Sequence, residues 1–269
     1  MAFENDWTKH TRDTLAAARD AGALPVLTVG AVEQHAEHLP VDMDSASAYA
    51  IAMAAARRCG EVPVVVMPAP MYGFSPHHAS WAGTLTVKLA TFMALVEDLV
   101  RCVAHQGFKR MLIVNGHGGN KAPLAAKIGE LATDGFEIAA VDYWTPGEAA
   151  WRKMLVGRFE GVGHACEYET ALLMALRPEL APEIARKVRN LPPRLDQPYL
   201  RGSNADALLE ARGTYAAIFG NEDCGYRGDP AAATPENGAK MLDATVEALA
   251  AFYGAYARMG LKSGTDRPR

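Results

Sequence analysis

The residues best able to bind a cation or move a proton are gathered in this chain. Of eight histidines, six fall in four short segments: His35 and His38, His77 and His78, His117, and His164. The first segment, GAVEQHAEHLPVDMD, sets Glu33 and His35 two apart, so both side chains point to one side of an extended loop. Asp44 follows His35 nine residues on, at the expected start of a helix, where the helix N-terminus also favours a carboxylate. One imidazole and two carboxylates form a borderline-hard ligand set that suits Zn²⁺, Mn²⁺ or Fe²⁺. A polar loop with Asp44 as an ordinary helix cap accounts for the same residues.

The second segment, NGHGGN, follows an apolar run and precedes a helix. Gly116, Gly118 and Gly119 let the backbone turn sharply and approach a ligand closely, and His117 projects as a metal ligand or base. An anion-binding glycine loop is the competing reading, although no GKS or GKT follows to make a P-loop. In the third segment, GHACEYETALLMAL, His164 lies in a loop and Glu167 and Glu169 open a helix. Placement of acids at a helix start explains Glu167, whereas Glu169, among apolar neighbours, is expected to turn inward. The fourth, YGFSPHHASWAGTLT, offers Tyr72, Ser75, His77 and His78 in a Gly/Pro turn with Trp81 as an apolar wall. These could line a substrate pocket or form a satisfied surface loop. Asn120 and Trp144, each closing one of the predicted strand-end segments, join Tyr72, Ser75, His78 and Trp81 as candidate substrate-binding residues.

Apolar β-rich runs at 24–30, 62–68, 110–116 and 136–144 alternate with Ala-rich stretches of helical character at 45–60, 86–107, 122–135 and 168–176. Gly60 is the expected stop of the first of these helices. The alternation predicts an α/β fold with a mostly parallel sheet, right-handed crossovers and helices on both faces. Residues 179–229, rich in Pro and Arg, read as loops packed around the sheet. A last helix within 233–260 closes a single domain spanning 1–269, and the tail KSGTDRPR is expected to fray. In such a sheet, ligands bind beyond the carboxyl ends of the strands. Three of the four histidine segments directly follow a predicted strand, and the fourth follows after a longer loop.

The bulk properties exclude several classes. The net charge is −4 with both signs spread along the chain, which leaves no basic footprint for nucleic acid. Four cysteines without CxxC spacing argue against a disulfide framework or a cysteine zinc site. No leader pattern and no long apolar stretch is present, so a cytoplasmic protein without a membrane span is expected. No G-x-S-x-G elbow supplies a nucleophilic serine.

Taken together and in order, the segments resemble the creatininase family. Its pattern is EQHGPHLP with a distant Asp, a YG-S-H-PGT loop, NGHGGN, and HAG-x-x-ET-S. The counterparts here are Glu33 to Pro40 with Asp44, Tyr72-Gly73-Phe74-Ser75 with His78 and Gly83-Thr84, Asn115 to Asn120, and His164 to Ala171. Gly228-Asp229-Pro230 with Thr234 extends the match. The resemblance implies a three-layer α/β/α domain, often a homohexamer built from dimers, with two divalent metal ions. Glu33 and His117 would serve one ion and His35 and Glu169 the other, with Asp44 bridging. His164 would stand by the reacting group as proton shuttle or oxyanion partner, and Glu169 counts among both ligands and catalytic groups.

The implied activity is hydrolysis by a metal-bound hydroxide, opening a cyclic amide or cleaving a related amide or formamide C–N bond of a small molecule. The main alternative is hydrolytic ring opening of an oxidised cyclic sugar or inositol, which Glu37, Asp42 and Arg227 are polar enough to meet. From another class, a non-catalytic metal or small-ligand binding protein would lack a proton shuttle such as His164. Against the family pattern, Gly-Pro becomes Ala36-Glu37, a Gly becomes Cys166 and a Ser becomes Ala171. Gly119 stands where creatininase has a glutamate.

Overall fold

The computed structural model describes residues 3–158, 162–192 and 224–260. Four strands, β1 (Leu24–Val29), β2 (Val64–Val66), β3 (Met111–Asn115) and β4 (Ile138–Asp142), form a parallel sheet in the order β2-β1-β3-β4. Val26 pairs with Val66 on one side and Leu112 on the other, and Val29 pairs with Asn115. β1 and β3 are buried along their whole length, as expected of strands with both faces covered. Period-2 alternation sorts their side chains between two cores. Leu24, Val26, Leu112 and Val114 face one, while Leu27, Val29, Met111 and Ile113 face the other.

Helices fill both faces, giving the three layers α/β/α. The first core takes α2 (Met43–Arg58), α6 (Glu167–Leu176), α7 (Ala181–Val188) and α8 (Pro235–Arg258). The second takes α3 (Leu89–His105) and α4 (Lys121–Thr133). A short α5 (Glu148–Trp151) follows β4.

The sequence reading differs from this structure in several places. It left out α1 (Arg12–Asp20), whose Thr11 and Thr14 form a reciprocal capping box and whose apolar side is only Leu15, Ala18 and neighbours against Val65. Residues 179–229 are not all loop: α7 starts with a proline in its first turn and buries Ala181, Ile184 and Val188. Loops predicted at 193–223, and the tail at 261–269, lie outside the described residues. α2 ends at Arg58 with Cys59 as its cap, one residue before Gly60. α3 begins at Leu89 rather than Thr86, because 86–88 are used otherwise: the Ser75 amide donates to Thr86 Oγ1 at 2.8 Å, and the Val87 amide to Gly73 O at 3.2 Å. Among the described residues no helix is long and apolar enough to cross a membrane.

From β1 the chain crosses to β2 on one side, and from β3 it crosses to β4 on the other. The two connections therefore leave in opposite directions at the carboxyl ends of β1 and β3, which opens a crevice there.

Candidate metal centre and substrate cavity

The loop after β1 carries Glu33 and His35, and the turn after β3 carries His117, so both feed that crevice. Asp44 lies in the first turn of α2 and Glu169 in the first turn of α6. Close backbone approaches make this possible. A Cβ on Gly116 would sit 2.4 Å from Asp44 O, and one on Gly30 would sit 2.6 Å from the backbone of Ser45.

The centre of the site is the Asp44 carboxylate. Oδ1 lies 3.1 Å from His35 Nε2 and Oδ2 lies 2.9 Å from His117 Nδ1. Glu33 Oε1 is 3.3 Å from His117 Nδ1, 3.4 Å from His164 Nδ1 and 3.6 Å from His78 Nε2. Its other oxygen accepts the Ser75 hydroxyl. Glu33, His35 and Asp44 expose 3 % of their surface or less.

The backbone fixes the tautomers. His35 Nδ1 meets Glu33 O at 3.2 Å and His117 Nε2 meets Phe74 O at 3.2 Å, so each donates there and presents its other nitrogen to Asp44, protonated beside the bare carboxylate and able to give its lone pair to a cation once that proton leaves. His164 Nε2 lies 2.6 Å from Gln34 O, which leaves Nδ1 as an acceptor facing Glu33. Carbonyl-anchored imidazoles of this kind are the usual support of metal-ligating histidines.

Burial acts first on every group here, and the neighbours decide the result. It raises Glu33 above the usual carboxylate range against the pull of His117. It raises Glu169 to about 7 despite His35. For Asp44 the adjacent His35 and His117 overcome burial and hold the carboxyl well below its usual range. Asp44 in turn lifts His35 to about 9 against burial, while Glu33 is first among the groups that lift His117. Burial, with His35 beside it, keeps His164 well below its ordinary value, so that ring is neutral. Burial and neighbouring imidazoles likewise push His77 down to about 3 and His78 to about 2.

The donor set fits divalent cations. Four trios of donor atoms each lie within 4.8 Å of one another: Glu33–His35–Asp44, His35–His164–Glu169, Glu33–His78–His164 and Glu33–His77–His117. Asp44 Oδ2, His35 Nε2 and Glu169 Oε2 are buried and receive no hydrogen bond of good geometry. A buried acceptor without a donor costs about 1–3 kcal/mol, and a cation among them removes that cost. Oxygen and nitrogen donors without thiolate suit Zn²⁺, Mn²⁺ or Fe²⁺ alike.

A cavity of about 250 Å³ opens from the cluster, lined by Glu33, Asp44, His77, His78, His117, His164 and Glu169 on one side. Tyr143, Trp144, Trp151 and Tyr168 contribute an aromatic wall, with Lys121, Glu148 and Arg152 also in the lining. Lys121 pairs with Asp142 at 2.9 Å and Arg152 with Glu148 at 2.6 Å.

All five predicted ligands and His164 thus come together, and His78 and Trp144 line the cavity with them. Ser75 is behind Glu33 rather than in the lining. Tyr72, half exposed, and Trp81 are not among the lining residues. Nor is Asn120, whose amide is consumed by structure: it donates to Gly30 O at 2.9 Å and accepts the Phe74 amide at 3.0 Å. Glu37, Asp42 and Arg227 are also absent from the lining. Asp42 instead holds the Arg177 guanidinium through two bonds of 2.9 and 2.6 Å.

Sequence reasoning missed Gln34. Its amide reaches His78 Nδ1 at 3.0 Å, its Oε1 accepts the Ala36 amide at 2.8 Å, and its backbone carbonyl meets His164 Nε2 at 2.6 Å, so it ties two cavity histidines to a tight turn. The one available signal was its position between two ligands. Ala36 and Ala165, next to His35 and His164, hold left-handed backbone at φ 53° and 48°. That conformation costs a non-glycine residue about 1–2 kcal/mol.

The geometry has close relatives. The creatinine amidohydrolase family model matches residues 8–253. The mycofactocin precursor peptide peptidase of Mycobacterium ulcerans is 30% identical over 236 residues, 84% of each chain. The creatinine amidohydrolase of Pseudomonas putida is 30% identical over 190 residues, 65% of this chain and 71% of its own. A solved structure of a candidate creatinine amidohydrolase from Bacteroides fragilis superposes with a TM-score of 0.74 at 26% identity, covering 98% of this chain and 100% of that one. With its parallel sheet and buried carboxylate–imidazole centre, the chain belongs to the creatininase family and is a hydrolase of that class.

Proposed function

We propose that the chain is a metal-dependent amidohydrolase, acting as one domain, that cleaves a C–N bond of an amide or short peptide. The observation that carries this reading is the Asp44 carboxylate set between two carbonyl-anchored imidazoles, one oxygen toward each. Glu33 and His117 would hold one cation and His35 and Glu169 a second, with Asp44 shared. Such cations supply Lewis acidity and make water acidic enough to ionise near neutral pH.

The chain's own groups do the rest. His164 Nδ1, neutral and directed into the cluster, accepts a proton from the attacking water and returns it to the leaving nitrogen. Gln34 holds this ring through its carbonyl. The aromatic wall of Tyr143, Trp144 and Trp151 packs the apolar part of the substrate and excludes bulk water.

Position 119 argues against creatinine as substrate. A Cβ there would lie 2.4 Å from His117 Nε2 and 2.6 Å from Phe74 O, so the turn has no room for a creatininase-like glutamate. The peptidase relatives match over 82–84% of the chain, which supports peptide or amide cleavage over creatinine. Ring opening of an oxidised inositol is the weaker reading: the 3-dehydro-scyllo-inosose hydrolase of Thermotoga maritima matches only 35% of the chain, and the polar groups read as polyol contacts are not in the lining.

Val41, Met71, Tyr72, Leu85 and Leu89 leave apolar surface exposed around the loops beside the site. This supports assembly into a homo-oligomer, a hexamer by family likeness. Metal analysis of the purified protein, followed by assay on short peptides, cyclic amides, formamides and oxidised inositols, tests the reading. Stoichiometric metal and turnover of an amide or peptide are expected. A protein that binds no divalent metal and stays inert when supplied with it would overturn the proposal.

A further inference from the structure

Of the cluster imidazoles outside the five-ligand scheme, His77 is the one whose donor atom comes within 4.8 Å of both Glu33 and His117. His77 sits on the 3-10 turn Pro76–His78, which reaches over the β3 turn from the other side of the crevice. That turn is firmly held. The Phe74 amide bonds Asn120 at 3.0 Å, and the Ser75 amide bonds Thr86 Oγ1 at 2.8 Å. His77 lines the cavity, and its ring is parallel to that of His117, 4° apart in plane with centroids 5.4 Å apart. A donor atom of His77 lies within 4.8 Å of donors from both Glu33 and His117. Donor atoms sharing one tetrahedral ion at zinc–nitrogen bond lengths are about 3.4 Å apart, so a small ring rotation closes the trio.

Position 119 is where this arrangement is built in. The nearest atoms to a Cβ there are His117 Nε2 at 2.4 Å, Phe74 O at 2.6 Å and His77 Cε1 at 2.8 Å. The bare glycine leaves room for the His77 ring to lie beside the Nε2 edge of His117, whose Nδ1 is left facing Glu33 and Asp44.

We propose that His77 is an additional protein ligand to the cation held by Glu33 and His117, approaching it over Gly119. This rests on the metal-dependent reading above. The shell of that ion then comprises Glu33, Asp44, His117 and His77. A second imidazole in place of an oxygen donor favours Zn²⁺ or Co²⁺ over Mn²⁺ at this position, while the His35–Glu169 ion keeps its own donors.

The test is a Co²⁺ titration of the chelator-treated protein, read by visible d–d absorption and by metal content after dialysis, for wild type, His77→Ala and His77→Asp. Circular dichroism checks that each variant is folded. Wild type is expected to bind two equivalents. His77→Ala should bind one of them about 10–100-fold more weakly, with a changed d–d band, and leave the other unchanged. His77→Asp should recover tight binding with the Zn²⁺/Mn²⁺ preference shifted toward Mn²⁺. Two wild-type-like equivalents and an unaltered spectrum in folded His77→Ala would overturn the assignment of His77 while leaving the function intact. A wild type that takes up no metal would instead overturn the functional reading.

Discussion

Each imidazole near Asp44 is told apart from the others by what its far nitrogen touches. His35 and His117 spend one nitrogen on backbone carbonyls, so replacing either with Ala removes a ligand and leaves Asp44 facing an uncompensated gap. His117→Ala and Asp44→Ala should each lose bound metal and nearly all turnover; metal content by mass spectrometry alongside the assay checks this. His164→Ala differs. It should keep its metal and lose about 10²–10⁴-fold in kcat, the usual contribution of one proton-transfer group. Metal loss in that variant would make His164 a ligand. Cys166 gives a separate residue-level check. Burial pushes its thiol up to about 12, and the thiolate is the reactive form. At pH 8 a thiol reagent should label the exposed Cys102 quickly and reach Cys166 only on unfolding. Equal labelling rates would contradict the buried placement.

At the level of elements, α6 delivers Glu169, and two contacts hold it in place. Glu167, which the sequence explained as an acid at a helix start, accepts the amides of Val156 and Gly157 at 2.8 and 2.9 Å. It therefore pins Val156 and Gly157, a few residues after the cavity-lining Trp151 and Arg152. Glu167→Ala should cost about 1–3 kcal/mol and raise KM while bound metal is retained, which calorimetry and steady-state kinetics would show. On its other side α6 lies against α8 so closely that a Cβ on Gly238 would fall 1.9 Å from Ala171 O. The Ala171 carbonyl belongs to helix backbone, and the added Cβ is fixed to the backbone of the facing helix, so neither can yield. Gly238→Ala should force the helices apart at about 1–3 kcal/mol, lower the melting temperature, and weaken binding of the ion proposed to rest on Glu169. Unchanged unfolding would mean that the contact is slack.

For the molecule as a whole, much was legible because the physics is local. All four strands are present where apolar β-rich runs predicted them, and the ligand segments sit at their carboxyl ends. Strand order was not legible: nothing in residues 24–30 or 110–116 states that these two lie side by side, although that adjacency creates the crevice. α1 and α7 escaped notice because each is short and buries few residues, so an amphipathic pattern runs for little more than two turns. Asn120 shows the limit at the site. A polar residue in a glycine turn looks the same whether it meets substrate or backbone, and only the fold shows its amide bonded to Gly30 and Phe74.

The closing helix is fastened at both of its ends, to α6 near its start and to the beginning of β3 near its end. Near its start Gly238 seats α6, and Tyr168 Oη meets Thr245 Oγ1 at 2.9 Å. Near its end the Tyr256 hydroxyl donates to Met111 O at 3.1 Å, and the Arg110 guanidinium donates to the Tyr256 and Met259 carbonyls. A rod about 36 Å long, riveted at either extremity, transmits damage along its length. Clipping it by protease should set free any bound metal as fast as the rod is cut, so the durability of catalysis would be governed by a stretch of chain that lies outside the cavity lining.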